Sequence, residues 1–319
     1  MRAFIFPGQG SQTVGMGRAL ADASPVAREV FEEVDEALGQ GLFRLMADGP
    51  ADELTLTENA QPAIMANALA TLRVLEREGG IRLADKADYV AGHSLGEYSA
   101  LCAAGALDLS TTARLLKLRG QAMQRAVAVG EGAMAALIGA DVEKAGVIAG
   151  AAVDSILAEG GGELVCTVAN DNDPNQVVIS GHRAAVERAV SLAKELGAKR
   201  ALLLPVSAPF HCSLMRPAAD EMERALFDSD LRSPLVPVYV NVDAAPVADP
   251  GAIRRLLVQQ VTGMVRWRES IERMWGEGVT EFVEFGGKVL APMVKRIAPD
   301  ADARSVTTMD DVEALIKSL

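Results

Sequence analysis

The stretch Tyr89-Val90-Ala91-Gly92-His93-Ser94-Leu95-Gly96 decides how this chain is read. Tyr89 to Ala91 is a short apolar run of the kind a buried strand makes, and the small residues from Gly96 through Ala104 suit a helix. A G-x-S-x-G between strand and helix is a nucleophile elbow, whose glycines allow a turn so tight that the serine stands exposed at the strand's end. The helix N-terminus then aims backbone N–H groups at any oxyanion formed there. The same residues also satisfy a plain glycine turn, so the elbow needs support from the rest of the chain.

Upstream, Phe4-Ile5-Phe6 reads as a strand that breaks at Pro7-Gly8-Gln9-Gly10-Ser11-Gln12. Helices follow over roughly Pro25 to Leu38 and Pro62 to Glu78. Downstream, Ser110 stands where an N-cap belongs, before a helix from Thr111 to about Val127. Between Gly132 and Val206 the grammar changes. Strand Ala133 to Ile138 is followed by helix Val142 to Ala158, then by a hairpin of Val165 to Ala169 and Val177 to Ser180. Helix Ala184 to Leu196 and strand Ala201 to Val206 complete a β-α-β-β-α-β order, the pattern of a ferredoxin-like unit. It predicts a small subdomain at 131–206, inserted into a larger domain made of 1–130 and 207–319. In the larger part, helices over Ala218 to Phe227 and Ala252 to Gln260 alternate with strands over Val238 to Val242 and Glu281 to Phe285. That alternation is the mark of an α/β domain with a mostly parallel sheet.

Composition narrows the function. The chain has 319 residues, 50% of them hydrophobic, and a net charge of −12. So acidic a balance disfavours nucleic acid as a partner, because phosphate binding depends on a basic field. Three cysteines without C-x-x-C spacing argue against a disulfide scaffold or a zinc site and suit a reducing cytoplasm. No two of the three histidines have the short spacing of a metal site. Met1 to Phe6 is too short for a signal-peptide core, and no run of about 18 apolar residues offers a membrane span. A cytoplasmic globular protein is expected, with no metal and no membrane contact.

A serine nucleophile needs a base. His93 is adjacent to Ser94 and points elsewhere in a sharp turn, and His182 opens a helix, where an exposed or capping role is ordinary. His211 lies in Ser207-Ala208-Pro209-Phe210-His211-Cys212, a loop after a strand, and is the candidate base. Arg119 is the most informative charge. Its helix neighbours Leu115, Leu116, Ala122 and Met123 are all apolar, so it sits on a face that should be buried. A buried guanidinium needs an anion, either an internal partner or one that arrives with the substrate, and its fork fits a carboxylate. The loop Gly8-Gln9-Gly10 brings backbone N–H groups close to a ligand and could supply a second oxyanion donor beside the amide of Leu95.

Taken together, Phe6-Pro7-Gly8-Gln9-Gly10-Ser11-Gln12, Gly92-His93-Ser94-Leu95-Gly96-Glu97-Tyr98, Arg119-Gly120 and His211 resemble malonyl-CoA:acyl carrier protein transacylases. Gly132 to Ala135, Asn170 to Gly181, Asn241-Val242-Asp243 and Gly287 to Leu290 extend the resemblance over nearly the whole chain. The resemblance implies an α/β-hydrolase-like large domain with an inserted ferredoxin-like subdomain. It implies Ser94 as acyl-accepting nucleophile, His211 as base and later acid, and the amides of Gln9 and Leu95 as oxyanion hole. Arg119 then binds the malonyl carboxylate, Gln260 holds the histidine through its backbone carbonyl, and bulky Phe210 leaves little room for a methyl branch. The implied substrates are malonyl-CoA and acyl carrier protein, handled by a monomer without cofactor in fatty acid synthesis. Lys199, Arg200, Arg216 and Lys288 are candidates for meeting an acidic carrier. Two loops depart from the family pattern: Phe285-Gly286-Gly287-Lys288 lacks its Gly-Pro-Gly-Lys turn, and Gly263-Met264 replaces an Asn-Pro ahead of Trp267. A serine hydrolase such as a thioesterase shares the elbow and histidine but gives no reason for Arg119. A non-catalytic module that binds carrier or coenzyme predicts no acyl-serine.

Overall fold

In the computed structural model, which describes residues 1–206 and 208–319, the chain forms two sheets. Ser207, where the second expected domain boundary falls, lies outside the described residues. The first sheet contains β1 (Arg2–Phe6), β2 (Tyr89–Gly92), β7 (Val238–Val240), β8 (Ala245–Val247), β9 (Glu281–Phe285) and β10 (Asp302–Val306). Its order is β10-β9-β1-β2-β7-β8, parallel throughout except for β8, which runs antiparallel to β7. Helices cover both faces, so Ala3 to Phe6 of the central strand are all buried. The second sheet contains β3 (Gly132–Ile138), β4 (Cys166–Asp173), β5 (Gln176–His182) and β6 (Arg200–Leu203), in the antiparallel order β4-β5-β3-β6.

On β3 the strand period separates two environments. Ala133, Ala135 and Leu137 pack with the helices Val142–Ala158 and Arg183–Leu192, while Met134 and Ala136 join the core of the first sheet's region. Backbone bonds tie β4 to the segment before the helix Trp267–Gly276: Asp171 N donates to Val265 O, and Val265 N donates to Ala169 O, both at 2.9 Å. Ion pairs Asp171–Arg268 (2.9 Å) and Asp173–Arg296 (2.8 Å) reinforce the junction, with both carboxylates buried.

Several element limits differ from the sequence reading. The helix expected from Pro62 runs over Thr57–Arg77 with Pro62 inside it. The proline removes one donor a turn and a half in, and burial of every residue from Asn59 to Leu72 outweighs that loss. Ser110 is not the cap of the helix Leu109–Ala126. Asp108 is, its carboxylate accepting from Thr111 N at 2.6 Å, an anion at the positive end of the helix dipole. The hairpin extends through the polar run Asn170 to Asp173 because those side chains are buried against partners from the other sheet's region. The final strand of that unit stops at Leu203 rather than Val206, and β7 stops at Val240 rather than Val242. No helix among the described residues is long and apolar enough to cross a membrane.

Candidate active site

Strands β1, β2, β7 and β9 deliver their loops to one edge of the first sheet, the C-terminal edge where parallel sheets bind ligands. The elbow after β2 depends on both glycines. A Cβ at Gly92 would stand 1.8 Å from Gly96 O, and one at Gly96 would stand 2.2 Å from Phe6 O. Ser94 is held at φ 54°, a left-handed conformation that side chains resist and that functional turns retain. Its amide donates to Asn241 Oδ1 at 2.8 Å, and Asn241 Nδ2 donates to Gly92 O at 2.7 Å, so the residue after β7 clamps the turn.

His211 also has a positive φ, 57°, and is buried. Its Nε2 lies 2.8 Å from Ser94 Oγ and its Nδ1 lies 2.8 Å from the backbone carbonyl of Gln260. A carbonyl only accepts, so Nδ1 carries the proton and Nε2 presents a lone pair to the serine hydroxyl. Burial and the Arg119 charge push the imidazole's pKa down to about 3, so it is neutral at pH 7. Neutral, it is competent as a base.

Arg119 enters from the helix Leu109–Ala126 and is buried. Its Nη1 donates to Gln61 Oε1 at 2.8 Å, and its Nη2 donates to Gln260 Oε1 at 2.8 Å and to Ser94 Oγ at 3.2 Å. The guanidinium also lies 5.7 Å from the Tyr98 ring centre. Among the described residues no carboxylate pairs with it directly and its Nε has no hydrogen-bond partner. A buried cation in that state has capacity for an incoming anion.

These groups open on a cavity of about 340 Å³ lined by Gln9, Ser94, Leu95, Arg119, Phe210 and His211. Met134, Asn170, Asn172 and Val178 of the second sheet form its opposite wall. Among the described residues the amides of Gln9 and Leu95 donate to no protein acceptor, and both residues border the cavity beside Ser94. Phe210 is buried next to His211. No group of three His, Cys, Asp or Glu side chains among the described residues is placed to hold a metal ion.

The other two histidines are occupied elsewhere. His93 Nε2 donates to Asn172 Oδ1 at 2.8 Å across the junction, with its ring edge-on to Trp267. His182 accepts from Val165 N at 2.8 Å through Nδ1 instead of capping its helix. Of the four surface cations considered, Arg216 is paired with Asp220, while Lys199, Arg200 and Lys288 are exposed. Lys288 directly precedes the cavity residues Val289 and Leu290. Both departing loops are closed locally: Gly263 N donates to Gln259 O at 2.8 Å, and Glu284 accepts from the amides of Val289, Leu290 and Ala291 at 2.9 to 3.0 Å.

Three contributors escaped the reading of the sequence as site residues: Gln61, Asn241 and Glu97. Gln61 and Asn241 are neutral amides whose roles exist only once distant segments meet. Glu97 did carry a signal, as the one charged residue in the small-residue helix Gly96–Ala103.

The acyl transferase domain model matches residues 3–286. The chain is 44% identical to the malonyl CoA-acyl carrier protein transacylase of Bacillus subtilis (strain 168), over 99% of this chain and 96% of that protein. Its fold is similar to the crystal structure of an acyl-carrier-protein-S-malonyltransferase from Bartonella henselae, with a TM-score of 0.94 and 52% identity over 99% of this chain and 98% of that one. It is also similar to a malonyl-transacylase solved in complex with its type II PKS acyl-carrier protein, with a TM-score of 0.93 and 40% identity, covering 100% of this chain and 99% of that one.

Proposed function

The chain belongs to the malonyl-CoA:acyl carrier protein transacylases of the acyl transferase family, and we propose that it moves malonyl groups from coenzyme A to the carrier's phosphopantetheine thiol through an ester on Ser94. The observation that carries this reading is the convergence of Ser94, a neutral buried His211 and an Arg119 without a paired carboxylate in one cavity.

The geometry supports each half-reaction. His211 Nε2 takes the Ser94 hydroxyl proton as Oγ attacks the malonyl thioester carbon. The developing oxyanion is met by the amides of Gln9 and Leu95, the latter at the N-terminus of the helix Gly96–Ala103. The carbon–sulfur bond breaks, His211 returns the proton to the leaving thiolate, and coenzyme A departs. The carrier thiol then repeats the sequence in reverse: it gives its proton to His211, attacks the ester and releases Ser94 with that proton restored. Arg119 holds the malonyl carboxylate throughout, in parallel hydrogen bonds that an acetyl group cannot form. The Gln260 carbonyl fixes the histidine's tautomer, and the Phe210 ring limits substitution next to the thioester.

The four-stranded order β4-β5-β3-β6 with two helices on one face supports reading 131–206 as a ferredoxin-like insertion into an α/β-hydrolase-like domain formed by 1–130 and 207–319. The proposal includes a monomer acting in the cytoplasm for fatty acid synthesis, with neither a cofactor nor nucleic acid. Incubation with malonyl-CoA and holo-acyl carrier protein tests the central reaction. Intact mass spectrometry should show the carrier gaining a malonyl group only when the enzyme is present. Release of free malonate with no gain on the carrier would overturn it in favour of a hydrolase.

A further inference from the structure

Glu97 has no place in the mechanism above, yet it is buried one side chain away from Arg119. Its Oε2 accepts from Asn241 N and from Gln260 Nε2, both at 2.9 Å, while its Oε1 has no hydrogen-bond partner among the described residues. The same Gln260 amide presents its Oε1 to Arg119 Nη2 at 2.8 Å. One primary amide therefore spans a buried carboxyl and a buried guanidinium. Because a carboxylate only accepts and a guanidinium only donates, the pair also fixes which end of the amide faces which.

We propose that Glu97 is a positioning residue that serves as the internal counter-charge of Arg119 through the Gln260 amide and takes up a proton when an anionic acyl group occupies the guanidinium. The proposal rests on reading Arg119 as the acyl-carboxylate site. In the empty site, the anion on Glu97 is supported by two donors and by the Arg119 charge. A malonyl carboxylate on Arg119 neutralises that support and adds a like charge. The oxygen without a donor then leaves the ionised form short of solvation, and the neutral acid is favoured. Burial has already raised the carboxyl to about 7, so a small further change crosses neutrality.

The charged surroundings leave Arg119 dominant. Arg119, from the helix Leu109–Ala126, favours the Glu97 anion, and Asp243, following β7, opposes it. Tyr98 and Cys102 on its own helix are buried, and burial keeps both neutral at physiological pH. The remaining ionisable groups on the packed elements are engaged elsewhere: Arg2 of β1 with Glu281, Tyr89 of β2 and Tyr239 of β7 with each other. Glu58 pairs with Lys117, Arg73 with Glu76, Arg77 with Glu29 and Arg125 with Glu221, and Arg114 donates to Thr111.

Titration calorimetry in buffers of different ionisation enthalpy measures the proton directly. Ser94→Ala protein prevents turnover, and acetyl-CoA controls for every ionisation of the coenzyme. Between pH 7 and 8, malonyl-CoA should bind with uptake of up to about one proton more than acetyl-CoA. Glu97→Gln in the same background should abolish the difference. In otherwise native enzyme, KM for malonyl-CoA should rise about three- to tenfold from pH 7 to 8, and Glu97→Gln should flatten that rise. A residue that only packs would lower stability or kcat at all pH values alike. Equal uptake for both thioesters, or an undiminished difference in Glu97→Gln, overturns the proposal. Should Glu97→Gln not fold, the malonyl–acetyl comparison in Ser94→Ala decides alone. Failure of Ser94 to become malonylated in the native enzyme would instead sink the underlying reading of the reaction.

Discussion

The two sheets that face each other across the cavity are built on different sequence logic. In the parallel sheet the central strand is buried on both faces, and the sheet's loops carry Gln9, Ser94 and Leu95, while Arg119 comes from the helix Leu109–Ala126 and His211 from the segment that follows β6. The antiparallel sheet alternates. One side of β3 packs its own two helices, and the other turns Met134 toward the cavity. Its contribution there is neutral: Met134, Val178 and the amides of Asn170 and Asn172. A parallel sheet concentrates strand ends and helix N-termini at one edge, where charge develops during acyl transfer, while the antiparallel wall bounds the space above it.

That division ranks the substitutions. His211→Ala removes the proposed base and should lower kcat for malonyl transfer by about 10³-fold. Stopped-flow acylation checks this, and a loss under tenfold would place the base elsewhere. Arg119→Ala should lower kcat/KM for malonyl-CoA on the order of 10²-fold and leave acetyl-CoA nearly unaffected, so that discrimination collapses. Competition between the two thioesters reads that ratio. On the other wall, Met134→Ala should cost about 2 kcal/mol of stability, by denaturant titration, and change kcat only a few-fold. A large kcat effect there would break the division between the two sheets.

A further effect is on stability in acid. His211 is held neutral to about pH 3 in the folded protein, while the unfolded chain binds its proton near 6.5. The folded state therefore loses this part of its stability as pH falls from 6.5 toward 3. His211→Ala should lose less over that window, seen as a shallower fall of Tm with pH. An unchanged slope would mean that the imidazole is not buried as described.

The sequence revealed the elbow because only glycine fits at residues 92 and 96, and it revealed Arg119 because a lone cation on an apolar helix face is conspicuous. The strand β3 and the helix Val142–Ala158 were equally readable, the first as a short unbroken apolar run and the second from apolar residues at helical spacing. What the chain did not disclose is contact. Ser94 and His211 meet across 117 residues, and Gln260 joins Arg119 to His211 by using its side chain for one and its carbonyl for the other. Strand β10 was missed because Asp302–Val306 sits at the sheet's edge, pairs only with β9 and lacks an apolar run. Pro62 misled for the opposite reason, a strong local signal overridden by burial.

The central claim is a covalent one: the acyl group passes through the hydroxyl of Ser94. Brief exposure to malonyl-CoA without carrier, acid quenching and intact-mass measurement followed by peptide mapping test it most directly. The account predicts one malonyl group per chain, located on the peptide carrying Ser94, discharged by holo-acyl carrier protein and absent from Ser94→Ala. A carrier that is malonylated with no labelled enzyme, or a label that persists in Ser94→Ala, would contradict it.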